Sequence, residues 1–147
     1  MAFLGWWEKE YNCFVVKLSE FLVGKQIRCG ELDATFHRDD LMMRDKPIIP
    51  KVNNMDFLVD NRNVILVDDV FFTGRTIRAG LDALLAYGRP KKVELVVLID
   101  RRFSRELPIE PNYIGKQVDS IGEQHVIVEW KEDGGSDRVL LFNSKPE

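Results

Sequence analysis

The chain has 147 residues, 45% of them hydrophobic, which is enough for one domain with a single core. Its formal net charge is -3, which argues against a general polyanion binder, because nucleic-acid affinity rests on clustered Lys and Arg. Cys13 and Cys29 show neither metal-ligand spacing nor a disulfide framework; they predict two free thiols in a reducing cytoplasm, with a single bridge as the alternative.

Taken in chain order, the apolar start Met1 to Gly5 has no basic residues before it and is followed by Glu8, Lys9 and Glu10. That is not the pattern of a signal peptide, and no later apolar run is long enough to span a bilayer. The expectation is a cytoplasmic protein without membrane association. Residues 1 to 10, with Trp6 and Trp7 side by side, carry no readable element. Over residues 11 to 25, Phe14, Leu18, Phe21 and Leu22 recur at helical spacing and predict a short amphipathic helix. From Gly30 to His37, Leu32, Ala34 and Phe36 alternate with Glu31, Asp33 and Thr35, the period of a half-buried strand. Residues 38 to 55 are polar, with Pro47 and Pro50 among them, and read as one long loop, a length that in compact domains is usually functional or disordered. A short strand is expected at Phe57–Val59, then a turn over Asp60–Asn63.

Val64–Val67 is a continuous apolar run, expected to be buried on both faces. A helix follows over 73–87, with Thr73 as N-cap, an apolar stripe of Ile77, Leu81, Leu84 and Leu85, a left-handed stop at Gly88 and Pro90 beyond it. Val93–Ile99 is a second buried strand that ends at Asp100. Strand, helix and strand within about 35 residues make a crossover unit with parallel strands. Two more strands, 125–130 and 138–142, are expected as an antiparallel hairpin through Asp133-Gly-Gly-Ser136.

The chemistry concentrates in Val64-Ile-Leu-Val-Asp-Asp-Val-Phe-Phe-Thr-Gly-Arg-Thr-Ile-Arg-Ala-Gly80. A buried strand ends in the adjacent carboxylates Asp68 and Asp69. A Thr73-Gly74-Arg75-Thr76 loop then opens a helix. Ligands of open α/β sheets bind beyond the carboxyl ends of the strands, and a helix start offers N–H groups and a positive dipole to an anion. Gly74 lets backbone approach closely, and Thr73 and Thr76 add hydroxyls. Carboxylates are poor neighbours for phosphate but good acceptors for sugar hydroxyls. The combination therefore fits a ribose 5-phosphate, and either acid could also hold Mg2+. The alternative is a capped helix after a buried strand. A receiver domain also opens with a strand running into Asp-Asp, but on its first strand, whereas about 60 residues come first here.

This string closely resembles the phosphoribosyl pyrophosphate (PRPP) motif of type I phosphoribosyltransferases. The resemblance assigns the ribose hydroxyls to Asp68 and Asp69, which are also the catalytic candidates, and PRPP binding to these acids with Val70, Thr73, Gly74, Arg75 and Thr76. Downstream, residues 75–84, 88–90, 97–101, 105–109 and 113–116 look like the bifunctional pyrimidine-operon regulator and uracil phosphoribosyltransferase family, PyrR. Phe36-His37-Arg38-Asp39-Asp40-Leu41 is similar to the start of that family's flexible catalytic loop. The resemblance implies an α/β type I phosphoribosyltransferase fold: a mainly parallel sheet flanked by helices, a small hood and a C-terminal hairpin. It divides the chain into a divergent segment 1–29 and a phosphoribosyltransferase domain 30–147, within a single domain overall.

The implied ligands are PRPP with Mg2+, uracil and UMP, and the implied macromolecular partners are pyrimidine-operon mRNA and further copies of the chain. His37, Arg38, Asp39 and Asp40 belong to the closing loop, and Asp100, Arg101, Arg105 and Tyr113 to a hood that receives uracil. Arg101, Arg102 and Arg105 also fit a solvated loop, Tyr113 also fits packing, and His125 reads as structural. Arg75, Arg78, Arg89, Lys91 and Lys92 form a candidate RNA face that equally fits a solvated helix surface. A purine phosphoribosyltransferase would use the same PRPP motif. No first core strand and no pyrophosphate-binding loop ending in Arg-Gly is readable before Gly30. That leaves a divergent N-terminus or a copy without catalysis.

Overall fold

The computed structural model describes residues 2–5, 24, 27–33, 55–121, 124–131 and 134–143, with backbone alone for 2–5. Apart from Gly24, the helix expected over 11–25 lies outside the described residues, as do most of the 38–55 loop and His37, Arg38, Asp39 and Asp40.

Five parallel strands form one sheet in the order β2-β1-β3-β4-β5: β1 Ala2–Gly5, β2 Arg28–Glu31, β3 Asn63–Phe71, β4 Lys92–Arg102 and β5 Tyr113–Asp119. The apolar run at Val64 nucleates β3, but the strand continues through both acids to Phe71. β4 likewise runs past Asp100 to Arg102. Their ladder pairs Leu66 with Leu95, Asp68 with Val97 and Phe71 with Asp100, so the two strands finish side by side. The connection between them is α1, Arg75–Leu84, closed by a 3-10 turn at Leu85–Tyr87. β6 His125–Glu129 and β7 Arg138–Phe142 pair antiparallel as expected, in register from His125–Phe142 to Glu129–Arg138.

Several elements depart from the sequence reading. β1 is a strand where none was legible. Its four residues sit between β2 and β3, Gly5 opposite Glu31 on one side and Val67 on the other. A parallel strand therefore fills the place next to β3. β2 begins at Arg28, two residues before the expected start, and ends at Glu31; Leu32 beyond it is buried, and Ala34, Thr35 and Phe36 lie outside the described residues. Phe57–Val59 is not a strand. Val59 donates to the Tyr87 carbonyl and Asn61 to that of Arg89, an irregular pairing that still buries Phe57 and Val59. Gly88 has the expected positive φ, 123°, but its ψ of -172° lies outside the left-handed helical basin because the 3-10 turn intervenes. Leu85, placed on the apolar stripe, belongs to that turn and is exposed.

The core lies where α1 covers the sheet: Ile77, Ala79, Ala83 and Leu84 pack with Val64, Leu66, Phe71, Leu95 and Val97, joined by Leu32, Phe57 and Val59. Full burial of such side chains contributes roughly 1.5–3 kcal/mol each. Among the described residues no helix is long and apolar enough to cross a membrane.

Tyr113 was read as part of the hood, yet it starts the edge strand Tyr113–Asp119, for which the sequence reading had no element. Its side chains are exposed except Val118, so no apolar alternation marks it. Gly115 explains how it docks: a Cβ there would lie 2.7 Å from the Leu98 carbonyl oxygen, a backbone atom that cannot step aside. Gly115→Ala is therefore expected to loosen β5 from β4 and cost about 1–3 kcal/mol of stability, as overpacking does. Thermal unfolding checks this, and an unchanged midpoint would show that the edge can shift freely.

Candidate functional site

The strand order reverses between β1 and β3, since the sheet grows to β2 on one side and to β4 and β5 on the other. In parallel α/β sheets the ligand crevice opens at that switch point, outside the carboxyl ends of the strands. Here those ends are Gly5 and the Asp68–Phe71 segment.

Side chains of a strand alternate between faces. Asp68 continues the buried set Val64 and Leu66 and is 5% exposed, whereas Asp69 is only half-buried. The two acids therefore have different surroundings, although they adjoin in sequence. Asp68 Oδ1 accepts the N–H of Asp69 at 3.1 Å, and Asp69 Oδ1 accepts that of Val70 at 2.6 Å. Burial outweighs these bonds at Asp69 and holds its carboxyl above the usual range.

After Phe71 the chain turns through Phe72 and Thr73 to Gly74, whose φ of 93° and ψ of -9° are left-handed. Nothing crowds that position closely, since a Cβ would be 3.4 Å from Leu107 Cβ. Conformation, not space, calls for glycine there. Gly74, and not Thr73, is the N-cap. Its carbonyl accepts Arg78 N–H at 2.9 Å, and α1 starts at Arg75, two residues later than expected. Thr73 Oγ1 instead accepts Arg75 N–H at 3.3 Å. The first turn carries no acidic side chain, so the positive end of the dipole is not offset from within the helix.

The hood segment, Phe103–Asn112, folds directly over this turn. Glu106 and Leu107 N–H both donate to the Thr73 carbonyl, at 3.0 and 3.2 Å, and Arg75 Nε donates to Glu106 Oε2 at 2.5 Å. Arg105 donates to the Phe72 carbonyl and to Asp100 Oδ1, the latter at 2.5 Å, with its guanidinium carbon 3.6 Å from the Phe71 ring centroid. Gln117 Nε2 donates to the other Asp100 oxygen at 3.1 Å. Arg101, 5% exposed, lies 3.7 Å over the Phe72 ring and donates to Ser120 Oγ at 2.9 Å and to the Gln124 carbonyl at 2.5 Å. Burial draws its guanidinium downward from the ordinary value. Beside the hood opens a cavity of about 650 Å³ lined by Asp100, Arg102, Arg105, Leu107, Ile109 and Gln117, among others.

Thus Asp68, Asp69, Val70, Thr73, Gly74, Arg75 and Thr76 form one turn at the switch point, with Asp100, Arg101 and Arg105 next to it. Tyr113 is not brought there. It starts β5 opposite Val96, at the far end of the sheet, with its hydroxyl donating to Glu94 Oε1 at 3.3 Å. The sequence reading gave no role to Phe71, Phe72, Glu106, Gln117 or Ser120. The one available signal was the aromatic pair just before Thr-Gly, because two large rings in a loop need partners.

The sequence profile of the phosphoribosyl transferase domain matches residues 14–133. The chain belongs to the phosphoribosyl transferase family. Within that family it groups with the bifunctional PyrR proteins. Those of Bacillus cereus and Bacillus thuringiensis are 46% identical to it over 122 residues, covering 82% of this chain and 67% of theirs. A hypoxanthine phosphoribosyltransferase from Staphylococcus aureus superposes with a TM-score of 0.60 at 17% identity, covering 89% of this chain and 69% of that one. The Trypanosoma cruzi hypoxanthine phosphoribosyl transferase gives 0.60 at 15%, covering 82% and 60%. At such identities these structures establish the phosphoribosyltransferase fold alone.

Because the folded pKa of Asp69 lies above its unfolded value, ionising it costs stability that is retained only at acid pH. Asp69→Asn is expected to leave stability little changed at low pH and to raise the unfolding midpoint at neutral pH. Thermal scans across pH check this. A variant less stable than wild type at neutral pH would contradict it.

Proposed function

We propose that this chain is a uracil phosphoribosyltransferase that converts uracil and PRPP to UMP and pyrophosphate, and that the same pocket makes it a pyrimidine-responsive regulator of pyrimidine-operon transcription. The observation that carries the reading is the turn at Gly74: two acids end a strand, a helix start without acidic side chains follows at once, and the hood is bonded to the turn between them. The 46% identity to bifunctional PyrR proteins supports both halves of the name.

In this reading the 5-phosphate sits on the N–H groups of Thr73 to Thr76, and Asp68 and Asp69 accept from the ribose hydroxyls. Uracil N1 bonds to C1 as the bond from C1 to the pyrophosphate oxygen breaks, and the N1 proton leaves to solvent. The centre at C1 becomes oxocarbenium-like, so positioning and charge stabilisation supply most of the rate and no protein nucleophile is needed. Mg2+ arrives with PRPP. The carboxylates of Asp68 and Asp69 are hard oxygen donors of the kind that such an ion takes. Asp100 has both oxygens engaged, so backbone groups of the hood are the better candidates for uracil. Residues 37–40 would close over PRPP. For the regulatory half the partner is pyrimidine-operon mRNA. Arg75, Arg78 and Lys92 pair with Glu106, Asp82 and Glu94, so the basic face is partly offset; Arg89 and Lys91 are its other two members. A homo-oligomer in the cytoplasm completes the proposal, and the exposed β5 edge supports further packing.

Incubation with PRPP, Mg2+ and labelled uracil is expected to yield UMP, and the Asp68→Asn/Asp69→Asn double variant to yield none while staying folded. A folded wild type that binds PRPP or UMP without turnover would leave a nucleotide-sensing regulator. Undiminished calorimetric affinity for PRPP in the double variant would sink the site assignment.

A further inference from the structure

The hydrogen bonds between hood and turn have a consequence for the phosphate-binding groups. In a planar trans peptide the carbonyl and the N–H point in opposite directions. The Phe72 carbonyl is held by the Arg105 guanidinium, so the N–H on the same peptide, that of Thr73, faces away from the hood. The Thr73 carbonyl is held by the N–H groups of Glu106 and Leu107, so the Gly74 N–H faces away too. Among the described residues neither N–H finds an acceptor within the chain. Two successive donors are thereby turned outward immediately before the start of α1. From this geometry we infer that Arg105 is a positioning residue for the sugar-phosphate site, acting through the peptide planes of the turn and not by touching the base.

Its other contacts fit that task. Asp100, 4% exposed, anchors one arm of the guanidinium fork, and Gln117 fixes Asp100 in turn. The Phe71 ring lies under the guanidinium at 3.6 Å and keeps the plane flat against the strand end. A lysine could supply the charge but not the fork that reaches Asp100 and the Phe72 carbonyl together. This inference rests on the PRPP reading and narrows it, since it moves Arg105 from the uracil hood to the phosphate cup.

The test titrates ribose 5-phosphate and PRPP with Mg2+ into wild type, Arg105→Ala and Arg105→Lys by calorimetry, and follows with steady-state kinetics. Arg105→Ala is expected to weaken ribose 5-phosphate on the order of tenfold, the scale of a lost charged hydrogen bond. Arg105→Lys should fall between the two. The KM for PRPP should rise, while the KM for uracil and kcat at saturating PRPP stay near wild type; general loosening of the fold would move all three together. A raised KM for uracil with unchanged PRPP affinity would overturn the inference and return Arg105 to the base. Wild-type affinity in both folded variants would overturn it as well; if the alanine chain does not fold, the lysine variant decides alone. A wild type that binds neither ligand would remove the PRPP reading itself, an outcome distinct from failure of the Arg105 role.

Discussion

The left-handed turn at Gly74 is the constraint on which the site depends. β3 must stop being a strand and become a helix within three residues, and a φ of 93° accomplishes that reversal. A side chain there would carry the strain of the left-handed region, on the order of 1–2 kcal/mol. Because the turn is tight, only three residues separate the end of β3, which carries the acids, from the start of α1. Because β4 ends beside β3, the segment that follows it returns over the same turn. One backbone reversal thereby sets the spacing between the two acids and the helix-start N–H groups and gives the hood its place.

Polar groups near this turn are unusually well tied. Arg101 and Asp100 are almost fully buried, and charges in that setting persist only when paired or hydrogen-bonded. Each has partners from several elements: Asp100 from Arg105 and Gln117, Arg101 from Ser120, Gln124 and the Phe72 ring. These bonds join β3, β4, β5 and the segment after β5 around the ligand end of the sheet. Asp69 differs, since its carboxylate is burdened by burial and the bond it accepts, from the adjacent Val70 N–H, is local. A group held at a cost to stability at the mouth of a crevice is the usual compromise between folding and function.

Much of this was legible in the sequence, for identifiable reasons. β3, α1 and β4 announce themselves because a buried parallel strand is an apolar run and a helix on a sheet carries an apolar stripe. The hairpin of β6 and β7 is marked by its Gly-rich turn. β1 is illegible because four residues ending in glycine and followed by two tryptophans give no period, and only its neighbours β2 and β3 make it a strand. β5 hides for the opposite reason: an exposed edge strand has no buried face to write a pattern, so Tyr113 was drawn into the hood when it starts the strand at the other end. The helix boundary slipped because Thr73 is a good cap by chemistry, but the backbone gave that position to Gly74. The stacks of Arg105 on Phe71 and Arg101 on Phe72 join residues about 30 positions apart, a distance at which residue spacing carries no signal.

The central claim is that PRPP lies on the turn between β3 and α1. The most direct measurement is the change in backbone amide resonances when PRPP and Mg2+ are added to isotopically labelled protein. The account predicts that the largest shifts fall on Val70 to Thr76, foremost Thr73 and Gly74, with smaller changes along the hood. Saturable binding that leaves those amides unmoved, with the largest shifts elsewhere in the chain, would contradict it.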